Sequence, residues 1–519
     1  MVPAVFVVYA VAPLLQGAAM LAAAAAAAAV LVCADPRQRA AAMLAALGFS
    51  ALAVATLASS LPGGPALLGA GAGAALIALG ILTAVLLRRP ALLGLLALFA
   101  LPFRVPLTLG SETASLLLPL YGVVAAGALA EAWRWLRPGT GPDAIDAAER
   151  PVPRTLRSLQ VALAVFVGLY ALQAVYSTDL EVALKNVCLF YAPFAVLLRL
   201  LGDVDWSAVR LRHAFWLLTG LAILFAVVGF YEYATGHLLL TNAKVQEANE
   251  LKPYFRVNSL FFDPNIYGRF LALTMIALAA VLVWSRERRT VLLVAAALGV
   301  LWAGLVLSLS QSSFAALLAG LAVLGVLRWK PVPVLGAISV LAAIAVAVVL
   351  LAPNSLEVDT RSTASLDKAT SGRFDLVSGA VSMARDRPVW GFGSGAFAER
   401  YRAREGVRSE RVAAVSHTIP LTVAAEQGAI GLIAYLVLMW FALRLVFRGV
   451  RARVRTASPG IEAIAAAAIA AAFCALVLHT FVYAAFLEDP LTWALLAVAG
   501  ALAARAPAPS RRPRETVAV

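Results

Sequence analysis

Polar residues suited to acid–base chemistry or anion binding occur in three stretches of this sequence, each beside a long apolar run. The first stretch, residues 254–270, contains Arg256 and the triplet Asp263-Pro264-Asn265. Aspartate followed by proline is a helix-start signal, so Asp263 and Asn265 are either capping residues or members of a site. Arg256 precedes this helix closely. An arginine there either reaches lipid headgroups or binds an anion.

The second stretch, residues 370–397, has apolar residues at helical spacing. This pattern predicts an amphipathic helix that lies on the membrane surface or caps a helical bundle. Ser371 is the predicted N-cap, and Arg373 then falls in the first turn, where the helix dipole disfavours a cation. Arg373 is therefore either solvated or placed to bind an anion. Three glycines follow and form either a phosphate-binding nest or, by preference, a turn: Gly391, Gly393 and Gly395.

The third stretch, residues 416–436, contains His417 and Glu426. His417 is one of four histidines in the chain and lies where an apolar run begins. A lone histidine is more often structural than catalytic, but an imidazole with a pKa of about 6.5 suits proton abstraction from a sugar hydroxyl. Glu426 lies inside the apolar run, and a carboxylate buried in a membrane needs a partner. Both residues are candidates for a site.

Other polar residues lie within or next to apolar runs. Lys185, His479 and Asp489 are each candidates to complete a site or to form a pair inside a bundle. Ser310 lies in a short polar turn, residues 307–313, that joins two apolar runs.

The apolar runs that must position these residues dominate the composition. Of 519 residues, 62% are hydrophobic and 13% are charged, and the mean hydropathy is +0.89. A soluble domain is about 25% charged, so most of this surface is predicted to face lipid. About 20 apolar residues cross a bilayer. The sequence therefore predicts an all-α, polytopic transmembrane bundle of about 12–15 spans, with a long extracytoplasmic loop that contains the amphipathic helix.

Basic clusters recur at every second loop, as is typical of loops on the cytoplasmic side. This alternation predicts a multi-pass membrane protein with these loops in the cytoplasm, and it accounts for the net charge of +14 without a nucleic-acid partner. No basic residue precedes Arg37, which favours a first span over a cleaved signal peptide.

The predicted divisions are N-terminal transmembrane helices (1–135), a cytoplasmic linker (136–158), central transmembrane helices (159–351), an extracytoplasmic loop (352–417), C-terminal transmembrane helices (418–504) and a disordered cytoplasmic tail (505–519).

The three cysteines all lie in apolar runs: Cys33, Cys188 and Cys474. Their spacing fits neither a disulfide framework nor a metal site. The prediction is a protein without a cofactor or a bound metal.

Three motifs, taken in order, resemble the O-antigen ligase/Wzy polymerase family. They are Arg256 followed by Phe262-Asp263-Pro264-Asn265, then Ser371-Gly372-Arg373 followed by Pro388-Val389-Trp390-Gly391-Phe392-Gly393, then His417 followed by Glu426-Gln427-Gly428-Ala429-Ile430-Gly431. The resemblance covers roughly residues 176–493, whereas the first third of the chain shows only generic spans.

The resemblance implies a helical bundle similar to GT-C glycosyltransferases. Such an enzyme moves a glycan from an undecaprenyl-diphosphate donor to an acceptor hydroxyl of a glycan or lipid on the extracytoplasmic face, without metal and with inversion. Arg256 and Arg373 would hold the diphosphate, and His417 would activate the acceptor. The turn at Ser310 departs from the family pattern, because Gln311 stands where many members have arginine. The candidates to replace that arginine are Arg361, Arg385 and Lys185.

Two alternative functions stay open. A Wzy-type polymerase differs from a ligase only in its acceptor, which is a second lipid-linked glycan. A flippase for lipid-linked glycans needs charged or broken helices through the membrane midplane. The polar residues described above gather instead on the predicted outer side.

Overall fold

A computed structural model of the chain shows a bundle of long helices. It describes residues 2–58, 65–109, 112–137, 152–240, 243–251, 254–334, 336, 373–405, 418–481, 483 and 486–505. Most of the predicted span at 334–351 and much of the predicted loop at 352–417, including His417, lie outside the described residues.

The helices are numbered in chain order. In the first half the helices are α1 (Val2–Val32), α2 (Pro36–Ala58), α3 (Pro65–Arg88), α4 (Leu92–Ala100), α5 (Leu118–Trp135), α6 (Arg154–Ala174), α7 (Leu180–Lys185), α8 (Ala192–Asp203), α9 (Ala208–Thr235) and α10 (Ala243–Leu251). In the second half they are α11 (Pro264–Trp284), α12 (Arg288–Ser308), α13 (Gln311–Arg328), α14 (Arg373–Asp386), α15 (Phe397–Glu405), α16 (Ile419–Val446), α17 (Val450–Val454), α18 (Ile461–His479) and α19 (Pro490–Arg505). A π-helical segment, Asn186–Tyr191, joins α7 to α8.

Ten helical segments among the described residues are long and apolar enough to cross a membrane, and two shorter apolar helices add to them. The all-α membrane bundle predicted from the sequence is confirmed. A small β-hairpin between α4 and α5 was not predicted: β1 (Val105–Leu109) pairs antiparallel with β2 (Glu112–Leu116). Strands of five residues give little periodic signal in a sequence.

Small residues allow close helix packing in the centre of the bundle. Ala467, Ala470 and Ala471 of α18 are completely buried, and α18 packs against α11 and α13. In lipid no hydrophobic effect drives helices together, so small side chains that permit close van der Waals contact take over that role. The result is a close-packed helical frame.

Basic residues from loops that are distant in sequence meet at one end of the bundle, which we call the basic end. The contacts that join these loops are Arg134 to the Leu86 carbonyl, Arg157 to the Val32 carbonyl, Arg455 to the Trp329 carbonyl and Arg505 to Asp205. The alternation of basic loops in the sequence therefore corresponds to one end of the folded molecule. Which end faces the cytoplasm stays a prediction.

Candidate active site

The turn between α12 and α13 lies at the opposite end of the bundle, which we call the site end, and it gathers buried hydroxyl groups. Leu309 adopts a left-handed φ of 49°. Ser310 then caps α13, and its Oγ lies 2.8 Å from Ser313 Oγ and 3.2 Å from Ser312 Oγ. Gln311, the position that departs from the family pattern, is exposed. The turn thus places buried serine hydroxyls on both sides of Gln311, the position where the family pattern has a cation.

Arg256 extends to this turn. Its Nε donates to the Ser308 carbonyl at 3.1 Å, and its Nη2 lies 3.5 Å from Asn265 Oδ1. The same Asn265 oxygen accepts a hydrogen bond from Ser310 Oγ at 2.9 Å. Asn249 fixes the backbone of Arg256, because its side chain accepts from the Arg256 N–H and donates to the Arg256 carbonyl. Three residues that the sequence marks separately, Arg256, Asn265 and Ser310, therefore meet in one network.

Asp263 connects this network to the last loop of the chain. It is the N-cap of α11 and accepts a hydrogen bond from the Asn265 N–H at 2.6 Å. Its other oxygen accepts from Tyr483 Oη at 2.7 Å. The carboxylate therefore both starts a helix and holds the loop between α18 and α19 against it.

A buried ion pair lies beside Tyr483. Arg269 Nη2 and Asp489 Oδ2 are 2.6 Å apart, and both side chains are 1% exposed. The Tyr483 ring lies 5.9 Å from the Arg269 guanidinium and 5.4 Å from the ring of His479, which is fully buried at the end of α18. The structure thus places His479 and Asp489, two of the predicted candidates, in one cluster at the site end, where Tyr483 and Arg269 lie between them.

Arg104, from the loop after α4, adds a further cation to this cluster. It lines a small cavity of about 10 Å³ together with Arg269 and Asp489. Burial lowers the pKa of Arg104, while Asp489 opposes that shift and Arg269 adds to it. Arginine stays protonated in proteins, so Arg104, Arg256 and Arg269 form a concentration of guanidinium groups near the start of α11.

The sequence analysis missed Arg269, Arg104 and Tyr483. A signal existed for Arg269, because it is the single charged residue of α11, and an arginine inside an apolar span normally faces a partner within the bundle. Arg104 and Tyr483 lie among apolar residues in the connections that follow α4 and α18, outside the long spans, and give no comparable signal.

Lys185 does not join the cluster. Its Nζ pairs with Glu181 at 2.7 Å on the surface of α7, and both side chains are partly exposed. The sequence also contains an Asp-x-Asp pair, Asp203 and Asp205. Both carboxylates are paired with arginines at the basic end of the bundle. Neither group contributes to the arrangement at the site end.

Glu426 and the glycines after Trp390 form a single structure, which we call the α16 break. α16 is interrupted at Gly428, whose φ and ψ are 64° and −161°. Gly393 N–H donates to the Glu426 carbonyl at 2.8 Å, and the Glu426 carboxylate accepts from Gly395 N–H at 2.9 Å and from Phe397 N–H at 3.1 Å. The loop after α14 therefore satisfies polar groups of α16, and the partner predicted for Glu426 is the backbone of that loop.

The close contact in the α16 break requires glycine on both sides. A Cβ on Gly391 would lie 2.2 Å from the Glu426 carbonyl oxygen, and a Cβ on Gly428 would lie 2.3 Å from the Val389 carbonyl oxygen. Both residues have a positive φ that side chains rarely adopt. The glycines therefore form a turn, as the sequence favoured, and the Glu426 carboxylate accepts from the N–H groups of Gly395 and Phe397.

α14 begins at Arg373, within the stretch predicted to be an amphipathic helix. Its buried residues Leu376, Ala380 and Met383 pack against Phe397 of α15 and against the start of α16. The side chain of Arg373 lies outside the described residues, as do Ser371 and Arg361.

His417 also lies outside the described residues, but the residues that follow it are described. Thr418 Oγ1 donates to the Phe481 carbonyl at 3.2 Å, and Ile419 N–H donates to the Thr480 carbonyl at 3.2 Å. The chain directly after His417 therefore runs beside the loop that contains Tyr483.

Residues 296–436 match the sequence model of a protein family described as Wzy_C, O-antigen ligase. Within this segment the chain is similar to the O-antigen ligase family. The resemblance is thereby confirmed for the motifs between Ser371 and Gly431, whereas the motif from Arg256 to Asn265 precedes the matched segment. No curated protein sequence matches the chain significantly.

The matched O-antigen ligase segment contains only part of the cluster. It includes Ser310, α14 and the α16 break, whereas Arg256 and Arg269 precede it and Asp489 follows it. Contacts such as Ser310 to Asn265 bring the outer segments to the matched one. The arrangement at the site end is thus assembled from nearly the whole length of the chain.

Proposed function

We propose that this protein transfers a glycan from an undecaprenyl-diphosphate donor to an acceptor hydroxyl on the extracytoplasmic face of the bacterial inner membrane, without metal and with inversion at the anomeric carbon. The family match and the apolar helices support a membrane enzyme of the O-antigen ligase or polymerase type. The observation that carries the finer proposal is the gathering of Arg104, Arg256 and Arg269 around the start of α11.

Guanidinium groups suit a diphosphate leaving group. Arginine binds phosphate oxygens through two parallel hydrogen bonds, and fixed charges in a site shielded from water stabilise the negative charge that develops as the bond to the sugar breaks. Arg256 is held by the Ser308 carbonyl and by Asn265, so its guanidinium is positioned before the donor arrives. In this proposal Arg256 and Arg373 contact the diphosphate. Asp489 offsets the charge of Arg269, so Arg104 supplies the net positive charge behind them.

His417 is the proposed general base. It removes the proton from the acceptor hydroxyl while the hydroxyl oxygen attacks the anomeric carbon, and the undecaprenyl diphosphate leaves with the electrons of the broken C–O bond. Base assistance of this kind contributes about 10²- to 10⁴-fold to a rate. The chain after His417 runs beside the loop that carries Tyr483, which supports a place for the imidazole near the arginine cluster.

The test is a transfer assay in proteoliposomes with a purified undecaprenyl-diphosphate glycan donor. We expect His417→Ala to abolish transfer and to leave donor binding nearly intact. We expect Arg256→Ala and Arg373→Ala each to weaken donor binding by about tenfold or more, because a hydrogen bond to a charged group contributes about 1.5–3 kcal/mol. The matched control is Arg404→Ala, which removes an arginine that pairs with Asp386 on the surface.

Transfer that persists in His417→Ala would rule out the base, and donor affinity that is unchanged in both arginine variants would rule out the diphosphate site. The same assay separates the ligase from the polymerase. Products that contain chains of increasing length indicate polymerisation, whereas a single addition to a glycan or lipid acceptor indicates ligation.

A further inference from the structure

A lateral groove between α6 and α16 has no part in the proposed transfer reaction. It has a volume of about 600 Å³, and nine of its eleven lining side chains are apolar. Val165 and Ile433 in this lining are 56% and 60% exposed. In a membrane-spanning bundle such a surface faces lipid, and the remaining two lining residues, Arg157 and Ser158, give the groove a polar end.

Arg157 lines the polar end of the groove, and two further arginines, Arg444 and Arg448, follow its last lining residue on α16, Phe441. Arg157 donates to the Val32 carbonyl. Arg448 donates to Thr155 Oγ1 at 3.2 Å, and Arg444 lies over the ring of Trp440. Among the described residues, none of these three arginines forms an ion pair with an acidic side chain. Their charge is therefore available for an external anion.

The length of the groove indicates how its occupant is oriented. From Arg157 to Leu169 the groove follows α6 for about 18 Å, given a rise of about 1.5 Å per residue. One leaflet is about half of a hydrocarbon core of about 30 Å. The groove therefore extends from the basic end across roughly one leaflet. At the far end the groove is lined by Leu169 and Ile430, whose side chains cannot hydrogen-bond a phosphate.

We propose that this groove binds one anionic phospholipid, with its headgroup phosphate at Arg157 and Arg448 and an acyl chain between α6 and α16. Basic pockets between helices at the cytoplasmic side are the usual sites for such lipids. The proposed glycan donor would have the opposite orientation in the bilayer, because its diphosphate would bind at the site end and not at the basic end. α6 and α16 also meet at the site end, where Gln173 donates to the Gln427 carbonyl at 3.1 Å beside the α16 break. A lipid in the groove would link the same two helices at the basic end.

The experiment measures lipids retained by the full-length protein. Purified protein is stripped of lipid in detergent and incubated with equal amounts of phosphatidylglycerol and phosphatidylethanolamine, and bound lipids are identified by native mass spectrometry. We expect preferential retention of phosphatidylglycerol, reduced about fivefold in Arg157→Gln and about fivefold in Arg448→Gln. The matched controls, Arg288→Gln and Arg289→Gln, remove exposed arginines at the start of α12, away from the groove, and should retain the lipid as the parent protein does.

A second variant tests the apolar part without changing charge. Val165→Trp places a large ring in the groove, and the exposed position tolerates it, so this variant should also lose phosphatidylglycerol. Equal losses in the control variants, equal retention of phosphatidylethanolamine, or full retention by Val165→Trp would each overturn the proposal. Displacement of phosphatidylglycerol by undecaprenyl diphosphate would place the donor in the groove and would overturn it as well.

Discussion

At the scale of single residues, the pair formed by Arg269 and Asp489 raises the question of why a bundle of apolar helices keeps two buried charges. Both side chains are 1% exposed. The cost of removing two ions from water usually cancels the attraction between them, so a buried ion pair is weak evidence for stabilisation. Charged residues inside membrane proteins more often mark a functional region. We therefore treat this pair as part of the proposed donor site.

Separate substitution and paired substitution of these residues distinguish stability from function. Arg269→Met alone leaves a buried carboxylate without its partner and should lower the free energy of unfolding by about 3–5 kcal/mol. Arg269→Met combined with Asp489→Asn should recover most of that loss, because asparagine still accepts the hydrogen bond from the Leu491 N–H that starts α19. We expect the paired variant to fold and yet to bind donor weakly, as measured by thermal unfolding and donor titration.

The exposed pair of Arg404 and Asp386 provides the control for this comparison. Arg404→Gln should change the unfolding free energy by less than about 1 kcal/mol. A paired variant that is as unstable as Arg269→Met, or one that binds donor normally, would contradict the assignment.

Glu488, next to this pair, gives a prediction about pH. It accepts hydrogen bonds from Tyr191 Oη at 3.3 Å and from the Phe486 N–H at 3.1 Å. Burial raises the pKa of Glu488 above its ordinary value of 4.5, and Asp489 raises it further. The folded state therefore favours the protonated carboxyl, and this contribution to stability is complete below pH 4.5 and is lost as the pH rises through the raised pKa.

Glu488→Gln removes the titration and retains the shape of the side chain. Between about pH 7 and pH 5, the parent protein should gain thermal stability relative to Glu488→Gln as the pH falls. Unfolding midpoints measured in detergent across this range test the prediction. If the unfolding midpoints of the two proteins change with pH in the same way, the pKa of Glu488 is the same in the folded and unfolded states and the prediction is wrong.

At the scale of elements, the α16 break explains how a loop outside the bundle is held in place. α16 with α17 spans Ile419–Val454, 36 residues, although about 20 suffice to cross a bilayer. The helix is therefore longer than one crossing requires, and next to the break Gln173 in the last turn of α6 contacts Gln427. Breaking the helix frees backbone groups that bind the loop, since Ala429 N–H donates to the Pro388 carbonyl at 2.7 Å. α14, which bears Arg373, is thus attached to a transmembrane helix.

Gly428→Ala should release this loop. The new Cβ would lie 2.3 Å from the Val389 carbonyl oxygen, and φ is +64°. Gly236→Ala is a matched control, because Gly236 has a φ of +67° with open space around it. That variant should cost about 1–2 kcal/mol from the backbone conformation alone. We expect hydrogen exchange at Gly393, Gly395 and Phe397 to accelerate in Gly428→Ala and in Glu426→Ala, but not in Gly236→Ala. Equal exchange in all of these variants would contradict the attachment.

At the scale of the whole molecule, the sequence predicted the class of fold because bilayer thickness imposes a simple length on every span. It also marked Arg256, Asp263, Asn265 and Ser310, which lie at one end. It could not predict that Ser310 hydrogen-bonds Asn265, since packing alone determines contacts between segments so far apart. The sequence did not predict the α16 break either. A glycine within a helical pattern costs only about 1 kcal/mol, and the loop that makes the break favourable lies in another part of the chain.

The orientation of the molecule is the last feature that the proposed reaction requires, because a lipid-linked donor on the outer leaflet reaches only the outer end. The basic end contains the loop after α17, where Ser458 is exposed, and the site end contains the loop after α9, where His237 is exposed. Single cysteines at these positions, in a protein whose Cys33, Cys188 and Cys474 are replaced by serine, report their side of the membrane. We expect a membrane-impermeant maleimide to label His237→Cys in intact spheroplasts and Ser458→Cys only after permeabilisation, since loops rich in arginine stay in the cytoplasm. The reverse labelling pattern would place the arginine cluster on the cytoplasmic side and would exclude transfer at the outer face, whatever the chemistry of the residues gathered there.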